Sequence, residues 1–360
     1  GNNSASVVSD AYIKGLRDYD INTLYEAVLH GANNEGPMDA VGRSGVAYYN
    51  TLGYVPYDVK INENAARTLE YAYDDFAIWK LAKALKRPKE EINLFEKRMM
   101  NYKNVFNPKV GLMSGRNKDG SFPANFNPFK WGDAFTEGNS WHYSWSVFHD
   151  INGLIGLMGG EKSFVSKLDS VFTMPPVFDD SYYGSVIHEI REMQIMNMGQ
   201  YAHGNQPIQH MIYLYNYAGQ PWKTQYWSRE VMNRLYKPTA DGYCGDEDNG
   251  QTSAWYVFSA MGFYPVCPGT EEYVLGAPLF KKVTLELENG KKFIINAANN
   301  SEDNKYVQNL KWNNSNYTKN YINHFDVLKG GELNFEMGKA ANQKRGTSAS
   351  SYPYSYSTSK

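Results

Sequence analysis

The order of apolar and polar positions divides the chain into a helical first three-quarters and a last part rich in alternating patterns. From residue 62 to residue 85, apolar side chains recur every three or four positions, which is the spacing of one face of an α-helix. Asn62 can cap this helix, and Pro88 lies just beyond its end. A second helical pattern follows over 90–105, so the two segments are predicted to form a helical hairpin.

Five further stretches show the same periodicity and are also predicted to be helices. They are 22–30, 162–172, 208–218, 222–235 and 252–261. Long connections rich in Gly and Asn separate the helices, and those with the fewest periodic signals span 111–133, 174–184 and 237–250. Irregular connections of this length are uncommon in compact domains unless they serve a function, so they are the expected location of site residues.

The pattern changes near residue 269. Apolar and polar residues alternate in four short runs separated by turns rich in Asn and Gly, and these runs are 281–287, 292–296, 307–312 and 332–336. This alternation is typical of half-buried strands, and it predicts an antiparallel β region over 269–345 that follows a helical domain over 1–268. The last segment, 346–360, is a low-complexity tail rich in Ser and Tyr and is expected to fray.

Composition narrows the class of protein. The chain has 360 residues, with 36 basic and 38 acidic side chains, so its net charge of −2 argues against a uniformly basic nucleic-acid binder. No apolar run approaches the roughly 20 residues of a membrane-spanning helix. Cys244 and Cys267 are too few for a disulfide scaffold or a CxxC zinc cluster, and they can either pair or remain thiols.

Aromatic residues make up 15% of the chain, with 29 tyrosines. Aromatic rings stack on the apolar faces of sugars while hydroxyl and indole N–H groups bond to sugar hydroxyls, so this content suits a carbohydrate-handling protein. A core rich in tyrosine would give the same composition. The aromatic content therefore points to sugars only if the site residues do so as well.

The first candidate for acid–base chemistry is Glu137, which lies between a glycine turn and several aromatic residues on a predicted loop. A carboxyl group among aromatic side chains loses hydration, and this raises its pKa toward the range that a general acid needs near neutral pH. The alternative is a loop carboxylate that bonds to backbone amides.

The second candidate is the acidic run Asp246, Glu247 and Asp248, directly before the predicted helix at 252. Adjacent carboxylates repel one another unless they are solvated, bind a metal ion or lie at a helix N-terminus. The run resembles half a calcium loop but is not an EF-hand, because Gly250 comes one place too early and no closing Glu follows. A plain helix cap is the alternative.

A third motif begins at His188 and Glu189. A zinc protease would need a second His at position 192, which is Glu192 here, so that class is disfavoured. The two glutamates can share one helical face and offer oxygen ligands to a hard cation. An ordinary ion-paired helix containing Arg191 is the alternative.

A fourth motif contains the amides of Asn205 and Gln206, followed by His210 and a series of tyrosines. Amide, imidazole and phenol groups together offer the donors and acceptors that hydroxyl-rich ligands use. His210 can equally be a histidine of the protein core whose ring nitrogens are hydrogen-bonded within the protein.

Read together, six strings resemble the catalytic domain of glycoside hydrolase family 92, the calcium-dependent exo-α-mannosidases. They are 53–56 (GYVP), 71–75 (YAYDD), 136–141 (TEGNSW), 204–207 (GNQP), 217–222 (YAGQPW) and 245–262 (GDEDNGQTSAWYVFSAMG). The resemblance implies a mainly α fold, an (α/α)6-barrel type helical toroid followed by the small antiparallel β region. The toroid is expected to be incomplete, since the periodicity gives only about eight helices.

The same resemblance implies an inverting mechanism. Glu137 matches the general acid of the family, and Asp248 is the first choice for the general base. Asp246 is then the partner of the base or the base itself. In inverting glycosidases the two carboxyl groups stand roughly 6.5–9.5 Å apart, which admits the attacking water.

Binding roles follow from the resemblance as well. Ca²⁺ is the expected cofactor, with Glu192, Asn205 and Gln206 as its candidate ligands. His188 and Glu189 resemble the leaving-sugar site of members that cleave α-1,2 linkages. Trp141 and His210 complete the expected substrate-binding set.

The resemblance also implies partners and a location. Substrates would be mannose-containing glycans such as N-glycans or mannan, with release of terminal, α-1,2-linked mannose. Members of the family carry an N-terminal β-sandwich domain, which is missing from this sequence, and they are exported to the periplasm or the extracellular space. The alternative function is a non-catalytic carbohydrate-binding fragment, inactive without that domain.

Overall fold

The computed structural model describes residues 2–38 and 41–358. These ranges contain twelve α-helices, most of them before residue 262. They are α1 (Ser4–Ile13), α2 (Ile21–Asn33), α3 (Val46–Leu52), α4 (Asn64–Ala84), α5 (Lys89–Arg98), α6 (Ser140–Tyr143), α7 (Ile151–Leu157), α8 (Glu161–Thr173), α9 (His188–Met196), α10 (Pro221–Leu235), α11 (Gln251–Met261) and α12 (His324–Leu328).

Short 3₁₀ segments and strands complete the secondary structure. The 3₁₀ segments are Tyr57–Val59, Met99–Val105, Gln206–Ile208, Met211–Ala218, Ala349–Ser351 and Tyr356–Thr358. The strands are β1 (Phe106–Asn107), β2 (Leu112–Met113), β3 (Phe263–Tyr264), β4 (Glu272–Leu275), β5 (Lys282–Glu286), β6 (Lys292–Asn296), β7 (Tyr306–Trp312), β8 (Ser315–Asn316), β9 (Tyr321–Asn323) and β10 (Gly331–Gly338). The mainly helical class with small sheets is therefore confirmed.

Helix α4 is the centre of the helical part. Of its 21 residues, 15 are buried, because α1, α2, α5 and the segment Met99–Val105 pack around it. The predicted hairpin with α5 is present. The predicted cap at Asn62 is wrong, since the helix begins at Asn64 after Glu63, whose φ is 60°. A tertiary contact fixes this turn instead, because the backbone N–H of Glu63 donates to the carbonyl of Asp133.

The predicted α-helix over 208–218 is wrong in type. The structure has two 3₁₀ segments there, Gln206–Ile208 and Met211–Ala218. Every residue of the second segment is buried, so no polar face sets a helical period. Packing and local hydrogen bonds decide its conformation instead: the amide of Asn216 donates to the carbonyls of Tyr213 and Leu275.

The β region contains a five-stranded sheet in the order β5-β6-β10-β7-β8 and a three-stranded sheet in the order β3-β4-β9. The four predicted strands are present as β5, β6, β7 and β10. The prediction of purely antiparallel pairing is wrong at one place, since β10 is parallel to β6 while it is antiparallel to β7. The reason is topological: β10 returns from β9 and α12 and inserts between β6 and β7.

The expectation that the tail frays is also wrong for its described part. Tyr356 is buried against Trp79 of α4, and its hydroxyl donates to Glu96 of α5. Ser355 and Ser357 donate to the carboxylate of Asp150, which caps α7. The tyrosines and serines of the low-complexity segment therefore supply specific contacts to the helical part.

Two further expectations from composition can be compared with the structure. Cys244 and Cys267 are both free thiols, so the pairing that the sequence left open is not made. Within residues 2–38 and 41–358, no helix combines the length and the apolar character that crossing a bilayer requires.

Candidate active site

Glu137 lies on the loop before α6, and its backbone is held from several sides. Its φ is 44°, in the left-handed region, and its N–H donates to the hydroxyl of Tyr183 over 3.1 Å. The side-chain amide of Asn205 donates to its carbonyl over 2.6 Å. Just beyond it, Asn139 and His142 form a reciprocal capping box at the start of α6. A fixed main chain thus presents the exposed Glu137 carboxyl group.

The pKa of Glu137 is raised above its ordinary value. The largest cause is partial burial, which disfavours the anion, and the carboxylate of Glu189 adds to it. His188 acts in the opposite direction, and Asp248 contributes a smaller repulsion. Contacts connect the same segments: Asn205, which bonds to the carbonyl of Glu137, follows Gly204, and Gly204 packs against Glu192 of α9 and against Gly245 before the acidic run.

Helix α9 carries an imidazole between two carboxylates. Nε2 of His188 lies 3.0 Å from Oε1 of Glu189, and its Nδ1 lies 3.0 Å from Oε1 of Glu192. The hydrogen bond with Glu192 is the largest cause that raises the pKa of His188, so the ring favours its charged form. Oε2 of Glu189 is buried and has no hydrogen-bond partner among the described residues.

Two glycines, Gly204 and Gly245, allow two loops to pack closely against each other and against α9. A Cβ atom at Gly204 would lie 2.7 Å from Oε2 of Glu192, and one at Gly245 would lie 2.6 Å from the same oxygen. Either added Cβ would also come within about 3 Å of the other glycine's Cα. This close approach places Asn205 and Asp246, the residues that follow these glycines, next to Glu192.

The acidic run before α11 divides into one bonded acid and two free ones. Glu247 accepts from the N–H of Gly250 and from the hydroxyl of Ser253, so it satisfies the start of the helix. Within the described residues, the side chains of Asp246 and Asp248 make no hydrogen bond or ion pair. Burial, with repulsion from Asp246 and Glu247, raises the pKa of Asp248.

The backbone of this run is strained. Asp248 and Asn249 have φ values of 58° and 54°, and Gly250 follows with 103°. Left-handed conformations cost energy for residues with a side chain, although Asp and Asn tolerate them better than most. The strain turns the chain sharply into α11 while Asp248 stays outside the helix.

A cleft of about 420 Å³ opens in front of Glu137. Its lining combines acid, amide, hydroxyl and aromatic groups, and includes Glu70, Tyr73, Tyr143, Asn205 and Gln206. A second depression of about 270 Å³ shares Tyr73, Phe148 and Gln206 with this cleft. Amide and hydroxyl groups around aromatic faces are suited to a ligand rich in hydroxyl groups.

The predicted site residues fall into two groups. Those on the loops and on α9 come together, namely Glu137, His188, Glu189, Glu192, Asn205, Gln206, Asp246 and Asp248. His210 lines the adjoining depression; it is bonded to the carbonyl of Trp145, and burial lowers its pKa to about 4. Trp141 lies outside the residues that line the cleft and stacks on Phe129 with 6.3 Å between ring centroids.

Sequence reasoning missed Glu70, which lines the cleft from α4 and whose pKa burial raises to about 6. The available signal was an acid within a predicted helix that is apolar on most sides. It also missed Tyr143, Asn3 at the N-cap of α1 and Ser6 within α1, which line the same cleft. Helix α1 itself was not predicted, because its apolar residues have little helical periodicity.

The residue types at this place fit a hard cation such as Ca²⁺. Among the described residues, no group of three His, Cys, Asp or Glu side chains converges to hold a metal ion by itself. The predicted ligand set also includes the amide oxygens of Asn205 and Gln206, and oxygen donors of both kinds are what Ca²⁺ prefers. The unpartnered Oε2 of Glu189 is a further buried oxygen that a cation would satisfy.

Comparison with known proteins shows one consistent family. Residues 1–339 match the family model described as the glycosyl hydrolase family 92 catalytic domain. Among curated proteins, an uncharacterized secreted glycosidase of Arthroderma benhamiae is 29% identical over 376 residues, covering 94% of this chain and 45% of the relative.

Solved structures agree with this match. The family GH92 inverting mannosidase BT2199 of Bacteroides thetaiotaomicron has a TM-score of 0.90 and 50% identity, over 99% of this chain and 48% of that protein. The family GH92 α-mannosidase BT3965 of the same species has a TM-score of 0.88 and 34% identity, over 99% of this chain and 44% of that protein. The chain thus spans about half the length of these relatives. The resemblance inferred from the motifs is confirmed, and the chain belongs to glycosyl hydrolase family 92.

Proposed function

We propose that this chain forms the catalytic part of a calcium-dependent, inverting exo-α-mannosidase that releases terminal mannose from α-mannosides. One observation carries the proposal: a carboxyl group with a raised pKa, Glu137, faces the cleft, and its loop is joined through Asn205 and Gly204 to the acidic run, where the carboxylates of Asp246 and Asp248 have no partner among the described residues. The mannosidase names of the structural relatives support the substrate class.

In this mechanism Glu137 is the general acid. Its raised pKa favours the protonated form that a general acid needs, and the proton passes to the glycosidic oxygen as the bond to the anomeric carbon breaks. The hydrogen bonds from its N–H and to its carbonyl hold the loop, so the carboxyl group is positioned before substrate arrives.

The general base is Asp248, with Asp246 as its partner. Asp248 accepts a proton from the water that attacks the anomeric carbon from the face opposite to the leaving group, which inverts the configuration. Burial, with repulsion from the neighbouring acids, raises the pKa of Asp248 and makes it a stronger base than an isolated aspartate. Glu247 is bonded to the helix start and is not available for this role.

The imidazole of His188 and the carboxylate of Glu189 are proposed to bind the leaving sugar. Their 3.0 Å contact orients a donor and an acceptor side by side, as two neighbouring sugar hydroxyls require. We infer α-1,2-linked mannosides as the preferred substrates, and N-glycans or mannan as their natural sources. His210 and Trp141 are proposed as further substrate contacts, at the adjoining depression and beside the acid loop.

Calcium is proposed to bind through Glu192, Asn205 and Gln206. When bound, Ca²⁺ supplies a positive charge that polarises and orients sugar hydroxyls. Asn205 has a second duty, because its amide nitrogen holds the carbonyl of Glu137 while its oxygen stays free for a ligand. Loss of this side chain would therefore disturb both the acid and the cation.

The fold type and the cellular location are also proposed from the family. The helical part corresponds to a toroid of the (α/α)6-barrel type. Export to the periplasm or the extracellular space is inferred, since the curated relative is named a secreted glycosidase.

The decisive experiment uses the longest natural form of the protein that contains this chain. It is incubated with α-1,2-, α-1,3- and α-1,6-linked mannobiose, with and without a chelator, and the released sugar is followed by proton NMR. We expect fastest cleavage of the α-1,2 linkage, β-mannose as the first product, and loss of activity with chelator that Ca²⁺ restores. Binding of the disaccharides without cleavage would instead support the alternative, a carbohydrate-binding module.

Matched variants then separate the three adjacent acids. Asp248→Asn should reduce kcat on mannobiose by about 10²–10⁴, the range of general base catalysis, with Asp246→Asn having a smaller effect. Glu247→Gln keeps a hydrogen-bond acceptor at the helix start and serves as the control. Equal losses in all three variants would contradict the assignment of the base.

A further inference from the structure

A separate pocket lies beside Ser253, the partner of Glu247 in the acidic run, and no part of the proposed mechanism uses it. It encloses about 690 Å³ and is lined by three tyrosines, Tyr236, Tyr243 and Tyr256, with Val257 beside them. Tyr243 is 43% exposed and Val257 is 56% exposed. An open pocket of this volume with several aromatic faces is a candidate for ligand binding.

The rings are held in place. Tyr236 bonds to Nε2 of His203 over 2.8 Å and donates to the carbonyl of Thr252 over 3.2 Å. The centroid of its ring lies 4.7 Å from that of Tyr256 and 5.9 Å from that of Tyr243. A ligand would therefore meet preformed aromatic surfaces, which reduces the entropy lost on binding.

The loop that closes the pocket is equally preformed. The N–H of Lys237 donates to the carbonyl of Gly242 over 2.9 Å. A Cβ atom at position 242 would lie 2.1 Å from the carbonyl oxygen of Lys237, so only glycine permits this turn. Lys237 is the one charged residue in the described lining, and it disfavours a cationic ligand. The rest of the lining is uncharged and offers aromatic faces and polar groups, which suits a neutral ligand.

Hydrogen bonds connect this pocket to the acidic run that contains the proposed base. The hydroxyl of Ser253 donates to Glu247, and the hydroxyl of Tyr243 lies 2.6 Å from the same Ser253 oxygen, which it can reach as a donor. Asp246 follows Tyr243 by three positions along the chain, so their Cα atoms are at most about 11 Å apart. One or two pyranose rings span that distance.

We propose that the pocket formed by Tyr236, Tyr243 and Tyr256 is a distal subsite for a neutral sugar unit of a longer glycan. The apolar faces of a pyranose stack on the tyrosine rings, and its hydroxyls bond to the rim of the 237–243 loop. This inference rests on the proposed function for the identity of the substrate. It adds a preference for oligosaccharides over disaccharides, which the acid, the base and the cation site do not provide.

The test measures binding and hydrolysis separately in the longest natural form of the protein. Binding of α-1,2-linked mannotetraose and mannobiose is measured by calorimetry in a Glu137→Gln background with Ca²⁺ present. Tyr243→Ala should weaken binding of the tetraose about fivefold to tenfold, the usual effect of losing one aromatic contact. In the active enzyme, the ratio of kcat/KM for tetraose to that for biose should fall by the same factor, through KM.

Two other variants make the result specific. Phe325→Ala removes an aromatic ring that is 41% exposed and far along the chain, and it should change neither quantity. Tyr243→Phe keeps the ring but loses the bond to Ser253, so it should retain most of the preference for tetraose.

The proposal is overturned if the Glu137→Gln parent binds tetraose no better than biose, or if Tyr243→Ala affects both equally. A lower melting temperature of Tyr243→Ala without any change in tetraose binding would likewise contradict it, and would indicate that another part of the protein covers these rings. Absence of hydrolysis in the parent enzyme would refute the proposed function alone, since the binding measurement does not depend on turnover.

Discussion

Neighbouring acids occur in two regions of this molecule, one buried and one accessible to solvent. Asp74 and Asp75 lie inside α4, where both are fully buried. Asp75 forms salt bridges with Arg43 over 2.7 Å and with Arg98 over 3.0 Å. Asp74 has no partner among the described residues, and burial raises its pKa to about 8, so it is mostly neutral at pH 7.

The acids before α11 show the same division near the surface of the protein. Glu247 is bonded to Gly250 and Ser253, while Asp248 has no such bond within the described residues. Here the acid without a partner is solvent-accessible, so it can be ionised and can exchange a proton with a ligand. Adjacent carboxylates therefore anchor the fold through Asp75 in one region and leave a solvent-accessible acid, Asp248, in the other.

Burial and hydrogen bonding together distinguish the acids that support the fold from those that are candidates for catalysis. Paired Asp75 organises three helices by joining α4 to Arg98 of α5, which in turn bonds to the carbonyl of Ala32 in α2. Glu137 and Asp248 have carboxyl groups that no described side chain engages. Substitutions in the two regions should thus affect different properties of the protein.

The largest expected effect concerns activity. Glu137→Gln should reduce hydrolysis of α-mannobiose by about 10²–10⁴, because amide nitrogen cannot protonate the leaving oxygen. The free energy of unfolding should change little, since the side chain is exposed and makes no bond that folding requires. Initial rates and urea denaturation of both proteins provide the comparison.

A substrate that needs no acid supplies the control for this variant. With an aryl mannoside carrying a good leaving group, the loss should be far smaller, and the decline of kcat/KM at high pH should disappear. The decline arises because rising pH removes the proton from Glu137 at its raised pKa. Equal losses on both substrates would remove Glu137 from this role.

The next effect concerns stability. Asp75→Asn leaves two buried guanidinium groups without their carboxylate, which should lower the free energy of unfolding by about 3–5 kcal/mol. Asp303→Asn breaks a 2.9 Å pair with Lys339 in which both side chains are largely exposed, and should have almost no effect. If the two variants unfold at the same urea concentration, the buried ion pairs contribute no more to the free energy of unfolding than the exposed one.

A smaller effect is expected where the tail meets α7. Asp150 accepts from Ser355, Ser357 and Tyr102, and these bonds outweigh burial and lower its pKa. Asp150→Ala leaves several buried donors unpaired and should cost about 1–3 kcal/mol of unfolding free energy. Because the folded pKa is depressed, this contribution is present above the unfolded pKa of about 4 and is lost as pH falls further.

Thermal unfolding at pH 7 and at pH 3 tests this prediction. The difference between the wild type and Asp150→Ala should be clear at pH 7 and should shrink in acid. A difference that is the same at both pH values would show that the tail is held by packing of Tyr356 and not by the carboxylate.

The sequence was informative where a pattern had a single physical cause. Alternation predicted the strands of the β region, and a continuous helical period predicted α4, α5 and α10. It was misleading where tertiary contacts decide: Glu63 is held by Asp133 and not by a cap at Asn62, and the buried segment 211–218 has no polar face to define its period.

The candidate site shows the same limit. Local composition and the family resemblance singled out Glu137, Asp248 and the α9 acids as candidates, and the structure brings their segments together through Asn205, Gly204 and Gly245. Their roles stay predictions. Glu70 was missed, since within a helix an acid has many ordinary roles and only the fold shows which side faces the cleft. The tail was misjudged because low-complexity composition does not reveal a buried partner such as Asp150.

The smallest predicted effect concerns the imidazole at the start of α9. The pKa of His188 is raised in the folded state, mainly by its bond to Glu192, so its charged form stabilises the fold below an unfolded pKa of about 6.5 and this stabilisation is lost as pH rises through the folded value. The side chain is 59% exposed, so solvent screening should limit the contribution to less than about 1 kcal/mol. His188→Gln should therefore lower the melting temperature slightly at pH 5.5 and leave it unchanged at pH 9. A deficit that grows with pH would contradict stabilisation of the fold by the charged form of the imidazole.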